Sequence, residues 1–144
     1  MWGSLRNRLR IKSSALLIDV DNFKVINDSL GHPEGDEYLK AISKIMLIAI
    51  KRPTDFLARI GGDEFAVILS NTSLANGFSV AENLRKIMCE YNEKYYPDKS
   101  LSISIGVSSN FIQTQLQSLI TEADRCLYLA KAGGKNQVIS SPPS

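Results

Sequence analysis

The sequence predicts an α+β domain, a mixed and mostly antiparallel central sheet flanked by helices in the order β-α-α-β-β-α-β-α-β. Three observations lead there. Two short apolar runs flank Gly61-Gly62, the pattern of a hairpin. Leu101 to Val107 alternates apolar and small polar residues with the period of a half-buried strand. Between these stretches, apolar residues recur at helical spacing, so helical crossovers interrupt a sheet that also contains a hairpin.

In chain order, Ala15-Leu16-Leu17-Ile18 is a continuous apolar run ending in Asp19-Val20-Asp21, which reads as a buried central strand with acids at its C-terminal end. A helix follows, with Phe23, Ile26 and Leu30 on its inner face, Lys24, Asn27 and Asp28 on another, and Gly31 as its stop. His32-Pro33-Glu34-Gly35-Asp36 reads as a turn. The second helix buries Leu39, Ile42, Ile45, Met46 and Ala49, and Ile45 to Ile50 is expected as a buried segment. Pro53 bounds it, because the residue before a proline is pushed out of α geometry.

The hairpin occupies about Asp55 to Ser70, with Asp63 and Glu64 at an exposed tip and Gly61 and Gly62 free to adopt positive φ. After a polar loop, Asn71 to Asn76, a third helix runs from about Gly77 to Tyr95, with Val80, Leu84, Ile87 and Met88 inward and Tyr91 and Tyr95 continuing that face. The last helix, about Leu116 to Ala132, buries Leu119, Ile120, Ala123, Leu127 and Ala130, and Gly133-Gly134 stops it. Gln137-Val138-Ile139 reads as a short edge strand.

Charge and composition narrow the class. The chain has 144 residues, 17 basic and 15 acidic side chains and a formal charge of +2. Arg6, Arg8, Arg10 and Lys12 account for the excess, so the body is net negative and does not read as a nucleic-acid surface. No apolar run approaches the roughly 18 residues of a membrane span. Cys89 and Cys126 lie in helical patterns and read as reduced residues, which points to the cytoplasm, although a longer protein could be membrane-anchored. We expect residues 1–14 to form a basic linker or truncated first helix, residues 15–140 the domain, and residues 141–144 a tail.

The chemistry lies in two acid pairs. If the first strand lies beside the hairpin, Asp19/Asp21 and Asp63/Glu64 meet at one end of the sheet. Either pair alone also reads as a solvated strand end or hairpin tip. Hard carboxylate oxygens suit Mg²⁺ or Mn²⁺. The N-terminus of the helix after Asp21 favours phosphate, and Lys24 adds a positive charge. Together these point to a metal–triphosphate site.

The sequence resembles the GGDEF domains, the diguanylate cyclase family. The resemblance rests on Gly61-Gly62-Asp63-Glu64-Phe65, on Asp19-Val20-Asp21-Asn22-Phe23-Lys24-Val25-Ile26-Asn27-Asp28, and on Gly31-His32-Pro33-Glu34-Gly35-Asp36. Ser104-Ile105-Gly106-Val107, Ala123-Asp124, Leu127 to Lys131 and Gly134-Lys135-Asn136 extend it towards Val138. It implies a palm-like nucleotidyl cyclase fold and the condensation of two GTP into cyclic di-GMP, with release of pyrophosphate, in a transient homodimer. Asp19, the Val20 carbonyl and Asp63 would hold the metal. Asp63 would also help deprotonate the attacking 3′-hydroxyl, and Glu64 would support the site.

By the same resemblance Asn27 and Asp36 would read guanine. Asn22, Phe23 and His32 would line the substrate site, and Lys24, Lys131 and Lys135 would hold phosphates. Arg52 and Asp55 would form an inhibitory product site, and an upstream sensor domain and a downstream phosphodiesterase domain are candidate partners. The family's usual first helix is reduced here to Leu5-Arg6-Asn7-Arg8, and Lys135 stands where many members carry Arg. The alternative is a catalytically weak module that binds GTP or cyclic di-GMP; another nucleotidyl cyclase is disfavoured by Asn27 and Asp36.

Overall fold

The computed structural model describes residues 12–50, 52–111 and 116–142. The expectations about residues 1–11 and 143–144 fall outside them. The chain forms β1 (Lys12–Asp21), α1 (Phe23–Leu30), α2 (His32–Ala49), β2 (Phe56–Arg59), β3 (Glu64–Leu69), α3 (Leu74–Tyr95), β4 (Ser102–Phe111), α4 (Leu116–Ala132) and β5 (Val138–Ser140). This is the expected element order. The sheet order is β2-β3-β1-β4-β5, antiparallel throughout except for the β4–β5 pair.

Strand alternation divides the core. Leu16, Ile18 and Val20 of β1 face a large cluster with Ile26 of α1, Tyr38, Leu39, Ile42 and Met46 of α2, and Leu84 and Met88 of α3. Ala15 and Leu17 face the opposite way, onto Leu119, Ala123 and Leu127 of α4. Truncating a fully buried leucine such as Leu16 to alanine is expected to cost about 3 kcal/mol. Asp19 and Asp21 continue the α4 side of β1 by the same two-residue period. The acids therefore lie where α4 ends, not among the helices of the larger core.

Several boundaries differ from the sequence expectation. β1 starts at Lys12, with Ser13 and Ser14 buried in it. His32 to Asp36 is the first turn of α2 rather than a separate turn: Gly31, at φ 91°, makes the change of direction alone, and Pro33 fits the first helical turn. α3 starts at Leu74, three residues early, because Ser73 caps it by accepting from the Asn76 N–H at 3.2 Å.

The stretch Ile45 to Ile50 is not uniformly buried. Met46 is, but Leu47 and Ile48 are 61% and 70% exposed, because the inner face set by Leu39, Ile42 and Met46 excludes them. Leu30 and Tyr95 also lie outward. Among the described residues, no helix is long and apolar enough to cross a membrane.

Candidate active site

Register brings the two acid pairs together. Asp19 of β1 is directly opposite Glu64 of β3, and the Val20 N–H donates to the Asp63 carbonyl at 3.1 Å. On the other side of β1, Asp19 faces Ser104 and Asp21 faces Ser102 of β4. α4 adds the cation. Ala123, Leu127 and Lys131 follow one another at four-residue spacing, so the stripe that packs on Leu17 delivers Lys131 to the acids. Gly106 permits this approach, because a Cβ there would lie 2.1 Å from the Ala123 carbonyl oxygen and 2.2 Å from the Leu127 nitrogen.

The neighbouring acids have opposite environments. Asp21 is fully buried and saturated. Its carboxylate accepts from Ser102 Oγ at 2.6 Å, Ser104 Oγ at 2.7 Å, the Asn136 N–H at 3.0 Å and Lys131 Nζ at 2.9 Å. Burial would push its pKa up, but the hydrogen bonds from Lys131, Ser102, Asn136 and Ser104 outweigh it and hold it below the usual carboxylate value. Asp21 belonged to the acid pair expected at this end, and the structure makes it an anchor for α4 and the following turn.

Asp19 shares Lys131, at 3.1 Å from its Oδ2, yet its Oδ1 is the single buried side-chain oxygen or nitrogen without a hydrogen-bond partner among the described residues. Burial pushes its pKa up to about 6, aided by Asp63 and Glu64, although Lys131 pulls it down. For Lys131, burial is outweighed by Asp21 and Asp19, and its pKa lies above the ordinary lysine value.

This donor set fits a hard divalent cation. The orphaned Asp19 oxygen and the repulsion among Asp19, Asp63 and Glu64 are relieved by positive charge. Among the described residues no three His, Cys, Asp or Glu side chains form a complete metal cage. Mg²⁺ is commonly held by one or two carboxylates with substrate phosphates and water completing the shell, so a complete cage of protein ligands is not required of Asp19 and Asp63.

The hairpin tip departs from its expected geometry. Ile60 donates to the Glu64 carbonyl at 3.0 Å, but neither Gly61 nor Gly62 has positive φ. Arg59, not singled out from sequence, clamps the tip: its guanidinium donates to the Gly61 carbonyl at 3.2 Å and the Gly62 carbonyl at 2.8 Å. A Cβ on Gly62 would meet nothing within 4 Å. The fold itself makes no use of this glycine.

The other candidates form two groups. Asn22, at φ 62°, opens α1 without a side-chain cap; it accepts from Lys135 Nζ at 3.1 Å and donates to the Ser100 carbonyl at 2.8 Å. Lys24 is exposed, and Phe23 stacks on Tyr38 with centroids 6.4 Å apart. Asn27 packs on Gly35, where a Cβ would come within 2.0 Å of its Oδ1; this brings it beside the first turn of α2, which carries exposed His32 and Asp36. Tyr96 steadies that turn by donating to Glu34 Oε1 at 2.8 Å.

Arg52 and Asp55 lie apart from all of these, at the Leu69 end of β3. They pair with each other: Arg52 Nε and Nη2 donate to Asp55 at 2.9 and 2.8 Å, and Nη2 also reaches the Ser70 carbonyl and Thr72 Oγ1. Ala49, Ile50, Val80 and Asn76 line a cavity of about 330 Å³ beside the pair.

The family described as "Diguanylate cyclase, GGDEF domain" matches residues 3–137. The chain belongs to the GGDEF family. Diguanylate cyclase A of Treponema denticola is 44% identical over 130 residues, covering 89% of this chain and 35% of that protein. The structure of the active GGEEF domain of a diguanylate cyclase from Vibrio cholerae aligns with a TM-score of 0.85 at 33% identity, covering 99% of this chain and 90% of that one. The GGDEF domain of DgcB from Caulobacter crescentus, solved with c-di-GMP, shares the fold at a TM-score of 0.80 and 24% identity, covering 96% and 88% of the two chains. This GGDEF chain spans less than half the length of the curated relatives it matches, between 28% and 44%.

Sequence reasoning located the GGDEF hairpin and the acids of β1, but not the roles of Ser102, Ser104 and Gly106. Two small polar residues and a glycine alternating in β4 were the available signal: small side chains on one face mark where a helix and a buried carboxylate come close.

Proposed function

We propose that this GGDEF domain is a diguanylate cyclase that condenses two GTP into cyclic di-GMP, releasing pyrophosphate, with one GTP held by each of two copies. The observation that carries the reading is the orphaned Asp19 oxygen beside Asp63, Glu64 and Lys131 at one end of the sheet. The alternative, a catalytically weak binding module, makes no demand on Asp63 as a base.

A Mg²⁺ or Mn²⁺ ion held by Asp19, Asp63 and the Val20 carbonyl would polarise the phosphate under attack and acidify the attacking hydroxyl. Asp63 is half-buried at the hairpin tip and would accept the ribose 3′-hydroxyl proton. Lys131 and Lys24 neutralise the phosphates, together with the uncapped start of α1. Lys135 holds the adjoining loop through Asn22. Asn27 offers a donor and an acceptor and Asp36 accepts, which matches the guanine edge and mismatches adenine. His32 lies one helical turn before Asp36 and borders the base. One copy offers a single set of these groups, so joining two GTP requires a second domain facing the first.

We assign feedback to Arg52 and Asp55. Their fork has the geometry to receive a guanine edge if Arg52 exchanges Asp55 for the ligand. A sensor domain before residue 1 and a phosphodiesterase domain after residue 144 belong to the same proposal.

The test is incubation with GTP and Mg²⁺ and detection of cyclic di-GMP by mass spectrometry. Product is expected to form at a rate rising more steeply than protein concentration. Asp63→Ala is expected to lower it more than about a hundredfold, because even groups one shell from a metal are worth 10–100-fold. Absence of product with retained GTP binding would establish the binding module instead.

A further inference from the structure

The ammonium of Lys131 has three donors, and the structure directs them at three oxygens: Asp21 Oδ1 at 2.9 Å, Asp19 Oδ2 at 3.1 Å and the Val20 carbonyl at 3.5 Å. Two of these, Asp19 and the Val20 carbonyl, are groups assigned above to the divalent cation. The third differs in kind. Asp21 is fully buried, and Ser102, Ser104 and the Asn136 N–H occupy its remaining acceptor positions. Asp21 is therefore a fixed partner for Lys131, and Asp19 is an exchangeable one.

We propose that Lys131 is a place-holding cation, anchored on Asp21, that neutralises Asp19 through its direct ion pair and must release it before a divalent metal binds. The proposal rests on Asp19 being a metal ligand. A lysine ammonium suits the task because its flexible stem lets it turn about one partner while surrendering another. Release of Asp19 and Val20 leaves two donors of Lys131 without acceptors. Phosphate oxygens can take both and, being charged, accept more strongly than water, so a nucleoside triphosphate arriving with the metal restores what the metal alone removes. The site is thereby biased against metal without nucleotide, and the order of loading is built into the resting hydrogen bonds.

The experiment measures Mn²⁺ binding by electron paramagnetic resonance, on protein without nucleotide, so that no turnover enters the readout. The native chain is expected to bind Mn²⁺ weakly, and Lys131→Met to bind it at least about tenfold more tightly, since a unit positive charge is removed beside the ligand. Asp19→Asn is expected to abolish binding. The double variant Asp21→Asn with Lys131→Met guards against misfolding of the single one. It removes the buried charge together with its partner, keeps net charge unchanged, and is also expected to bind more tightly than the native chain. Affinity unchanged or reduced in both Lys131 variants, with binding still lost in Asp19→Asn, would overturn the place-holder and leave the metal assignment standing. Native affinity in Asp19→Asn would overturn the metal assignment and the proposal with it.

Discussion

At the Leu69 end of β3, Arg52 and Asp55 satisfy one another and borrow Ser70 and Thr72 for their remaining bonds. At the Glu64 end, roughly 17 Å away along six strand residues, Asp19 keeps a buried oxygen with no donor beside two further acids. The same sheet thus carries one closed charge pair and one open charge cluster. A closed pair resists a ligand by the bonds that ligand must break. An open cluster costs stability until a ligand arrives. The two ends are therefore expected to respond differently to substitution, pH and cations.

The sharpest contrast lies inside the acidic end. Asp21→Ala removes the acceptor of four donors and strands Lys131 beside the remaining acid. We expect a loss of about 3–5 kcal/mol, the usual cost of breaking a buried charge pair on one side, read as a lower midpoint in urea denaturation. A loss below about 1 kcal/mol would mean that Asp21 is not the anchor its burial implies.

Asp19 is expected to act with the opposite sign. Its folded pKa, about 6, lies above its unfolded value near 3.8. The folded state then binds more protons than the unfolded state between those values, so Asp19's contribution to stability is full below about pH 4 and is lost as pH rises through 6. The swing is on the order of 3 kcal/mol. Subtracting the pH–stability curve of Asp19→Asn from that of the native chain isolates it from Asp21, whose lowered pKa contributes with the reverse slope. Mg²⁺ at pH 7 is expected to recover part of the loss in the native chain and none in the variant. A flat difference curve would remove the physical basis for calling this end open.

Arg52→Ala tests the closed end. Asp55, with a side chain 4% exposed, would keep the Ser70 N–H as its donor, and because Arg52 itself is 49% exposed the loss is expected to be only about 1 kcal/mol. If Arg52 belongs to an inhibitory product site, the variant is expected to need a higher cyclic di-GMP concentration to stall turnover, measured by adding product to the GTP reaction. Unchanged inhibition would reduce Arg52 and Asp55 to a structural fork.

Much of the open end was legible in the sequence because its signals are local. An apolar run ending in Asp-x-Asp and a Gly-Gly between two strand-like runs each report their own neighbourhood. The closed end was legible only as a spacing; that Arg52 turns onto Asp55 instead of outward depends on Ser70 and Thr72, which arrive from the far side of the hairpin. The anchoring of Asp21 was hidden for the same reason. Its partners come from positions 102, 104, 131 and 136, and nothing in the order of residues states the β1–β4 register that aligns them. Leu47 and Ile48 teach a narrower lesson: a strict helical period based on Leu39, Ile42 and Met46 would have placed both outward.

The smallest stability change belongs to Gly62, and it separates folding from function most cleanly. Its φ is not positive, and a methyl group there meets no atom within 4 Å, so Gly62→Ala is expected to shift stability by no more than about 0.5 kcal/mol. Alanine narrows the unfolded ensemble, which acts towards a slight gain. If the nucleotide lies against the hairpin tip, the same methyl group occupies space the substrate needs, and cyclic di-GMP synthesis should fall at least about tenfold while the melting temperature stays put. Equal synthesis in Gly62→Ala and the native chain would show that nothing approaches this face closely, because the Arg59 clamp on the position 62 carbonyl is kept by alanine.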